Sequence, residues 1–159
     1  MSLEKSNNIE LTTELKQELV NKLGTLLHDE WRAPRKQEDG SYEPRMKKTK
    51  DDEWIKKHGT DDVDIANKSF VELPLDWQRE NRLAADVAMT EVFSAVDNGE
   101  LFDENFIEKA SSEIHIKWLE RNGQWAPEEQ NKPYAELSEE DKNKDRDQIK
   151  KAIELYESL

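Results

Sequence analysis

Two histidine–tryptophan pairs are the side chains of this sequence best suited to recognising a ligand. His28 precedes Trp31 by three residues, and His115 precedes Trp118 by the same interval. On a helix this spacing places both rings of a pair on neighbouring positions of one face. An indole offers a flat stacking surface, and an imidazole offers one hydrogen-bond donor and one acceptor. Each pair therefore indicates either a ligand pocket or a buried histidine that bonds a loop carbonyl while the tryptophan fills the core.

Two arginines extend the candidate ligand-binding set. A guanidinium fork can hold a phosphate or carboxylate through two parallel hydrogen bonds. The same fork suits an internal bond that ties a helix to a loop, for which Glu72 and Glu136 are candidate partners. The full set of candidate ligand-binding residues is His28, Trp31, Arg82, His115, Trp118 and Arg146.

A basic stretch between Arg32 and Lys57 is a second candidate surface. It holds nine basic and six acidic residues, in a chain whose formal net charge is −13. Such a segment is either a solvated, salt-bridged loop or a loop that contacts an anion or a protein partner. The candidate residues for that contact are Arg35, Arg45, Lys47 and Lys48.

Catalysis, metal binding and cofactor binding are poorly supported by the sequence. The chain has no cysteine, no glycine-rich phosphate loop and no Gly-x-Ser-x-Gly motif. An acidic cluster at Asp61, Asp62, Asp64 and Asn67 lacks the glycine turn and closing glutamate of a calcium loop. We therefore expect no enzymatic activity, no metal ion and no cofactor.

Charge and composition exclude further classes of protein. Acidic residues number 37 and basic residues 24, and 38% of all residues are charged. No apolar run is long enough to span a bilayer, and a chain of this charge repels a phosphate backbone. We therefore expect a cytoplasmic protein with no membrane segment and no direct contact with nucleic acid. The oligomeric state stays open.

Apolar periodicity predicts four long helices that must position these residues. Apolar side chains recur at intervals of three and four over residues 11–31, 74–97, 104–121 and 139–158. Residues 1–10 lack the pattern and are predicted to be a flexible N-terminus. Residues 32–69 are predicted to be a long polar connection with a short helix around Trp54 and, at most, a short hairpin.

The four helices show an internal duplication. His28 aligns with His115 at an offset of 87 residues, and Phe70 aligns with Tyr134 at an offset of 64. The offsets differ by 23 residues because the first connection is longer than the second by that amount. The neighbouring pairs Asn81-Arg82 and Asp145-Arg146 keep the second offset.

The duplication predicts a mainly α fold built from two helix–loop–helix repeat units. The first unit covers residues 11–97 and the second covers residues 98–159. Each unit is too small to bury its own apolar face, so we expect the two to pack as one domain with pseudo-twofold symmetry and long polar loops. A basic insertion at about residues 32–69 distinguishes the first unit, and we expect that removing residues 36–60 leaves the protein folded.

The second unit contains a longer pattern, which runs His-x-x-Trp, tryptophan, Pro-Tyr-x-x-Leu and Lys-x-x-Asp-Arg. Its residues are His115, Trp118, Arg121, Trp125, Pro133, Tyr134, Leu137, Lys142, Asp145, Arg146 and Ala152. This pattern resembles the repeat domain of ryanodine receptors, which also occurs in bacterial and phage proteins. The first unit has a weaker version, which is interrupted by the insertion and lacks Pro-Tyr.

The resemblance implies a mostly helical paired-repeat fold and no channel. Small bacterial members look like binding or sensing modules, for which nucleotide-derived ligands are suggested. We therefore expect a non-enzymatic module that binds a small anionic or nucleotide-like ligand, or a protein partner. The alternative is an acidic, phage-encoded decoy that mimics nucleic acid and inhibits a DNA-binding enzyme, because the negative charge lies outside the basic stretch.

Overall fold

A computed structural model describes residues 11–159, so the predicted flexible N-terminus at residues 1–10 lies outside the described residues. The fold is mainly helical, as predicted. The described helices are α1 (Thr13–Arg32), α2 (Asp52–His58), α3 (Leu75–Asp97), α4 (Glu104–Asn122) and α5 (Glu139–Glu157). The strands are β1 (Met46–Lys48) and β2 (Asp62–Asp64). Among the helices of residues 11–159, none combines the length and the apolar character that crossing a membrane requires.

Side-chain caps fix the ends of several helices. The Asp51 carboxylate accepts a hydrogen bond from the Trp54 backbone N–H at the start of α2, and Asp103 does the same for Phe106 at the start of α4. Ser138 caps α5 through the backbone N–H of Asp141. These bonds satisfy donors that the first turn of a helix leaves free. The long helices therefore begin and end within about two residues of the predicted positions.

The chain divides into two compact units. The first compact unit comprises Asn21–Leu83. The second compact unit comprises the described residues up to Val20 together with Ala84–Leu159. From here on, first unit and second unit mean these two compact units. The divisions fall inside α1 and α3 and not in the connection between Asp97 and Glu104. The repeat units predicted at residues 11–97 and 98–159 are defined by similarity of sequence, whereas the compact units are defined by contacts. The repeat units stay a prediction.

The connection at residues 32–69 is folded, which corrects the prediction of a long polar loop. Strands β1 and β2 pair antiparallel, with Lys47 opposite Val63. A cluster of four buried apolar residues lies behind them, and the indoles of Trp54 and Trp77 pack against it. Its members are Val63, Ile65, Phe70 and Leu73. Strands of three residues are too short to produce a periodic signal, which is why the sequence indicated at most a short hairpin here.

The second compact unit has its core between α4 and α5. These helices pack against each other, and the short 3-10 helix Tyr134–Glu136 packs against α4. Buried apolar side chains of both helices recur at helical spacing, as the sequence predicted: Phe106, Ala110 and Ile114 on α4, and Ile149, Ala152, Ile153 and Tyr156 on α5.

Candidate functional site

The two predicted histidines make the same hydrogen bond, each within its own compact unit. His28 Nε2 lies 2.7 Å from the carbonyl oxygen of Lys68, and His115 Nε2 lies 2.7 Å from that of Lys132. Because a carbonyl oxygen can only accept, each Nε2 carries the hydrogen and donates it. Both histidines are buried, so the expectation of a buried histidine that bonds a loop carbonyl is confirmed. Burial lowers the pKa of His28 below its ordinary value.

The paired tryptophans stack on these histidines without filling the core. The ring centroids are 5.9 Å apart for His28 and Trp31 and 5.8 Å apart for His115 and Trp118, with nearly parallel planes. Trp31 is 37% exposed, and Trp118 is half-buried. The expectation that the tryptophan fills the core is therefore wrong. A step of three residues turns a helix by about 300°, so each indole lies at the edge of the face that buries its histidine.

Arg146 forms an internal clamp in the second unit. Its Nε and Nη2 donate to the two carboxylate oxygens of Glu108, each at 2.7 Å, and the Tyr134 hydroxyl lies 3.1 Å from both oxygens. The partner is thus Glu108 and not the predicted Glu136. The Arg146 guanidinium and the Tyr134 hydroxyl hold the pKa of Glu108 below its usual range. An anionic ligand at Arg146 would have to displace Glu108.

Arg82 occupies the aligned position in the first unit with neutral partners. Its Nε donates to Asn21 Oδ1 at 3.1 Å, and its Nη2 donates to Gln78 Oε1 at 3.0 Å. Its guanidinium carbon lies 5.7 Å from the centre of the Phe70 ring. The predicted partner Glu72 instead accepts the Ser69 backbone N–H in a capping box. Arg82 is exposed and these two partners are neutral, so its guanidinium is held less strongly than that of Arg146.

The basic candidate surface is partly neutralised by neighbouring carboxylates. Lys48 Nζ lies 2.6 Å from Asp62 and 3.1 Å from Asp61, and both contacts raise the pKa of Lys48. Arg45 contacts Asp64 through its backbone N–H. The acidic cluster therefore serves as an internal partner of the basic stretch. Within residues 11–159, no grouping of histidine and carboxylate side chains is arranged to hold a metal ion.

Two other cations of the basic stretch lie over indole rings. The guanidinium of Arg35 is 4.6 Å from the centre of the Trp31 ring, and Lys47 Nζ is 5.9 Å from that of Trp77. Both distances are within the range of a cation–π contact. The face of Trp31 is thus partly covered by the chain's own guanidinium.

A cleft of about 190 Å³ opens beside Trp118 in the second unit. His115 and Trp118 line it, and Arg146 does not, because its guanidinium is held in the Glu108 clamp. The structure thus brings two of the six candidate ligand-binding residues to this cleft. The other polar residues of its wall are Gln130, Asp141, Lys144, Asp145 and Gln148.

Asp145 is the buried charge of the cleft. Only 8% of the residue is exposed, and burial, together with the nearby Asp141 carboxylate, raises its pKa to about 7. Lys144 opposes the rise, and His115 Nδ1 lies 3.8 Å from the Asp145 carboxylate. At neutral pH both the protonated and the ionised form of this carboxyl group are therefore populated.

The sequence analysis did not select Asp145, Asp141 or Gln148 as site residues. One available signal was the position of Asp145 in the apolar stripe of α5, four residues before Ile149. A carboxylate in a buried stripe is costly unless it is neutralised or has a partner. Asp141 and Gln148 give no comparable signal, because polar residues on a surface helix are ordinary.

No protein-family model, curated protein or solved structure matches this chain. The resemblance to ryanodine-receptor repeats therefore stays a prediction that rests on the residues quoted for it. The function has to be argued from the geometry of the cleft itself.

Proposed function

We propose that this chain is a non-enzymatic binding module, similar to ryanodine-receptor repeats, whose ligand enters the cleft beside Trp118. The cleft itself carries the proposal: it combines an indole face, a fixed imidazole and a buried carboxyl group in one wall. Small-molecule sites are concave and hold few but well-placed polar groups. The ligand is a small, nucleotide-like molecule or a segment of a protein partner, and the module is cytoplasmic.

Within this proposal the flat part of the ligand occupies the cleft, and a phosphate does not. Trp118 offers a surface for stacking, and the wall contains Asp141 and Asp145 with one lysine, Lys144. Lys144 Nζ already lies 3.3 Å from the Asp141 carboxylate. A purely anionic ligand would meet more negative than positive charge in the cleft. Of the ligands that the sequence indicated, the small anionic ligand is therefore less well supported than a nucleotide-like one.

We also propose that the two halves are copies of one repeat with pseudo-twofold symmetry. The support is that both ends of the histidine bond follow the predicted offsets. His28 and His115 are 87 residues apart, and their acceptors Lys68 and Lys132 are 64 apart. The short 3-10 helices Phe70–Glu72 and Tyr134–Glu136 keep the same offset of 64. A duplicated unit with a 23-residue insertion explains all three coincidences.

The test is a thermal-shift screen against nucleotides, dinucleotides and ADP-ribosyl derivatives. Binding to the native state raises the melting temperature by mass action, so we expect a rise of several degrees for one class. Trp118→Ala should abolish the rise, whereas Trp125→Ala, which removes an indole that is 70% exposed and outside the cleft wall, should preserve it. A flat screen would contradict a nucleotide-like ligand and direct the search to protein partners and to other classes of small molecule.

The acidic decoy is the second candidate, and the net charge of −13 is the observation that favours it. A decoy binds through many exposed carboxylates, so it should lose its partner steeply as salt rises. A ligand held in the cleft by stacking on Trp118 and a few polar contacts should lose much less affinity over the same range of salt. Running the screen and a pull-down at low and moderate salt separates the two functions.

A further inference from the structure

The wall of the Trp118 cleft is rich in hydrogen-bond acceptors. Asp145 is buried there, and Asp141 lies one helical turn earlier on α5. Gln148 also lines the cleft, and its buried Oε1 has no hydrogen-bond partner within residues 11–159. An ionised carboxyl group only accepts hydrogen bonds, so a wall that holds Asp141 and Asp145 favours a ligand that supplies donors.

Few donors remain to balance these acceptors. The His115 Nε2 hydrogen is committed to the Lys132 carbonyl. Gln130 Nε2 lies 3.4 Å from Asp141, and Lys144 is largely exposed beside the same carboxylate. The cleft thus presents one stacking ring and several acceptors to a ligand that brings its own N–H groups.

In the first unit, a guanidinium group lies over the indole of Trp31, which is the counterpart of Trp118. Trp31 has the same relation to His28 as Trp118 has to His115, and the Arg35 guanidinium lies over its ring at 4.6 Å. The residue aligned with Arg35 at the offset of 87 is Asn122, which has no charge. The second unit therefore lacks, at this position, the guanidinium that covers Trp31.

We propose that the Trp118 cleft binds a guanidinium group. Its plane stacks on the Trp118 indole, and its N–H groups donate to the carboxylates of Asp145 and Asp141. This inference rests on the proposed function of the cleft and names its ligand class. At about 190 Å³ the cleft is smaller than sites for drug-sized molecules, which suits a side-chain-sized head group. The group comes from a free guanidino compound or from an arginine side chain of a partner.

The experiment is an NMR titration of the Trp118 indole N–H, whose resonance is assigned by its loss in Trp118→Phe. Three probes that all carry N–H donors separate the contributions of charge and planarity: ethylguanidinium, ethylurea and ethylammonium. Ethylguanidinium is charged and planar, ethylurea is planar without the charge, and ethylammonium is charged without the plane. We expect ethylguanidinium to bind at least about tenfold more tightly than either analogue.

Asp145→Asn and Asp147→Asn form a matched pair of variants. Both remove one carboxylate from α5, but Asp147 is exposed and does not line the cleft. Asp145→Asn preserves the shape of the side chain and should weaken ethylguanidinium at least about tenfold, because a charge-assisted hydrogen bond is lost. Asp147→Asn should leave the affinity unchanged. A melting curve for each variant verifies that it is folded.

The outcomes separate this inference from the proposed function. Equal binding of ethylguanidinium and ethylammonium, or equal loss in the two variants, overturns the guanidinium assignment. Binding of a nucleotide in the cleft without ethylguanidinium binding overturns it too and leaves the binding module standing. If ethylguanidinium binds, capped arginine, N-acetyl-arginine methylamide, assigns the source. Tighter binding of the capped form indicates a protein partner, and weaker binding indicates a free guanidino compound.

Discussion

The His28 and His115 regions share one motif and differ in what surrounds its indole. Each histidine is buried and donates to a lysine carbonyl at 2.7 Å, and each stacks on a tryptophan three residues later. In the first region Arg35 lies over Trp31, whereas in the second Trp118 lines a cleft. The common parts position the rings, and the neighbouring residues decide whether a guanidinium of the chain or a cleft lies beside the indole.

The arginines of the two regions differ in a similar way. Arg146 meets a carboxylate and a phenol, and Arg82 meets two neutral amides and a phenyl ring. The aligned residues change from Asn21 to Glu108 and from Phe70 to Tyr134. The second region therefore holds its arginine with a charged clamp, and this arginine does not line the cleft beside Trp118.

The largest effect is expected from deleting residues 36–60. This deletion removes β1 and Trp54, which cover the cluster around Val63 and Phe70, so cooperative melting of the first unit should be lost. Circular dichroism during heating measures this loss. Lys56→Ala with Lys57→Ala removes charge without touching the cluster and should melt like the parent. A deletion variant with an unchanged melting curve would restore the original interpretation of this segment as a dispensable insertion.

Asp145→Asn should stabilise the protein at alkaline pH. The folded-state pKa of about 7 lies above the ordinary value of 3.8, so ionisation in the fold costs free energy that grows as pH rises from about 4 to 7. His115, Asp141 and Lys144 face this carboxyl group and modulate the cost. Removing the charge should add about 2–4 kcal/mol to the free energy of unfolding at pH 8 and little at pH 4.

Urea denaturation across this pH range measures the difference. Asp147→Asn is the control, because that carboxylate is exposed and should show no such pH dependence. Parallel pH profiles for the parent and Asp145→Asn would show that Asp145 is not the buried charge of the cleft.

Arg146→Ala and Arg82→Ala compare the two clamps directly. Arg146→Ala leaves the Glu108 carboxylate with the Tyr134 hydroxyl but without its charged partner, and it should cost about 1–2 kcal/mol, a value moderated by the half-exposed carboxylate. Arg82→Ala should change stability by less than about 0.5 kcal/mol, since its partners are neutral and the side chain is exposed. Chemical denaturation gives both values. Equal costs would remove the distinction between a charged and a neutral clamp.

A similarly small effect on stability is expected from Arg35→Ala. Loss of one cation–π contact at a partly exposed site should cost less than about 1 kcal/mol. The variant also uncovers Trp31, so ethylguanidinium should then shift the Trp31 indole resonance as it shifts that of Trp118. Arg45→Ala, a cation outside this contact, should leave Trp31 insensitive to the probe. If ethylguanidinium does not shift the Trp31 indole resonance in Arg35→Ala, the two indoles are not equivalent sites for the probe.

The sequence alone predicted the helices, and burial of His28 and His115 was one of the two interpretations that it allowed. These properties follow from local rules: apolar spacing along α4 and α5, and caps such as Asp103 and Ser138. The same rules indicated which rings share a helix face. They could not indicate whether Trp118 is covered or lines a cleft.

Tertiary structure decided the partners. Glu108 and Arg146 are 38 residues apart, and the cleft joins His115 to Asp145 across two helices. The choice of Glu108 over Glu136, the raised pKa of Asp145 and the folding of residues 32–69 all depend on contacts between distant segments. Such contacts depend on how side chains pack in three dimensions, and helical periodicity carries no information about which surface meets which.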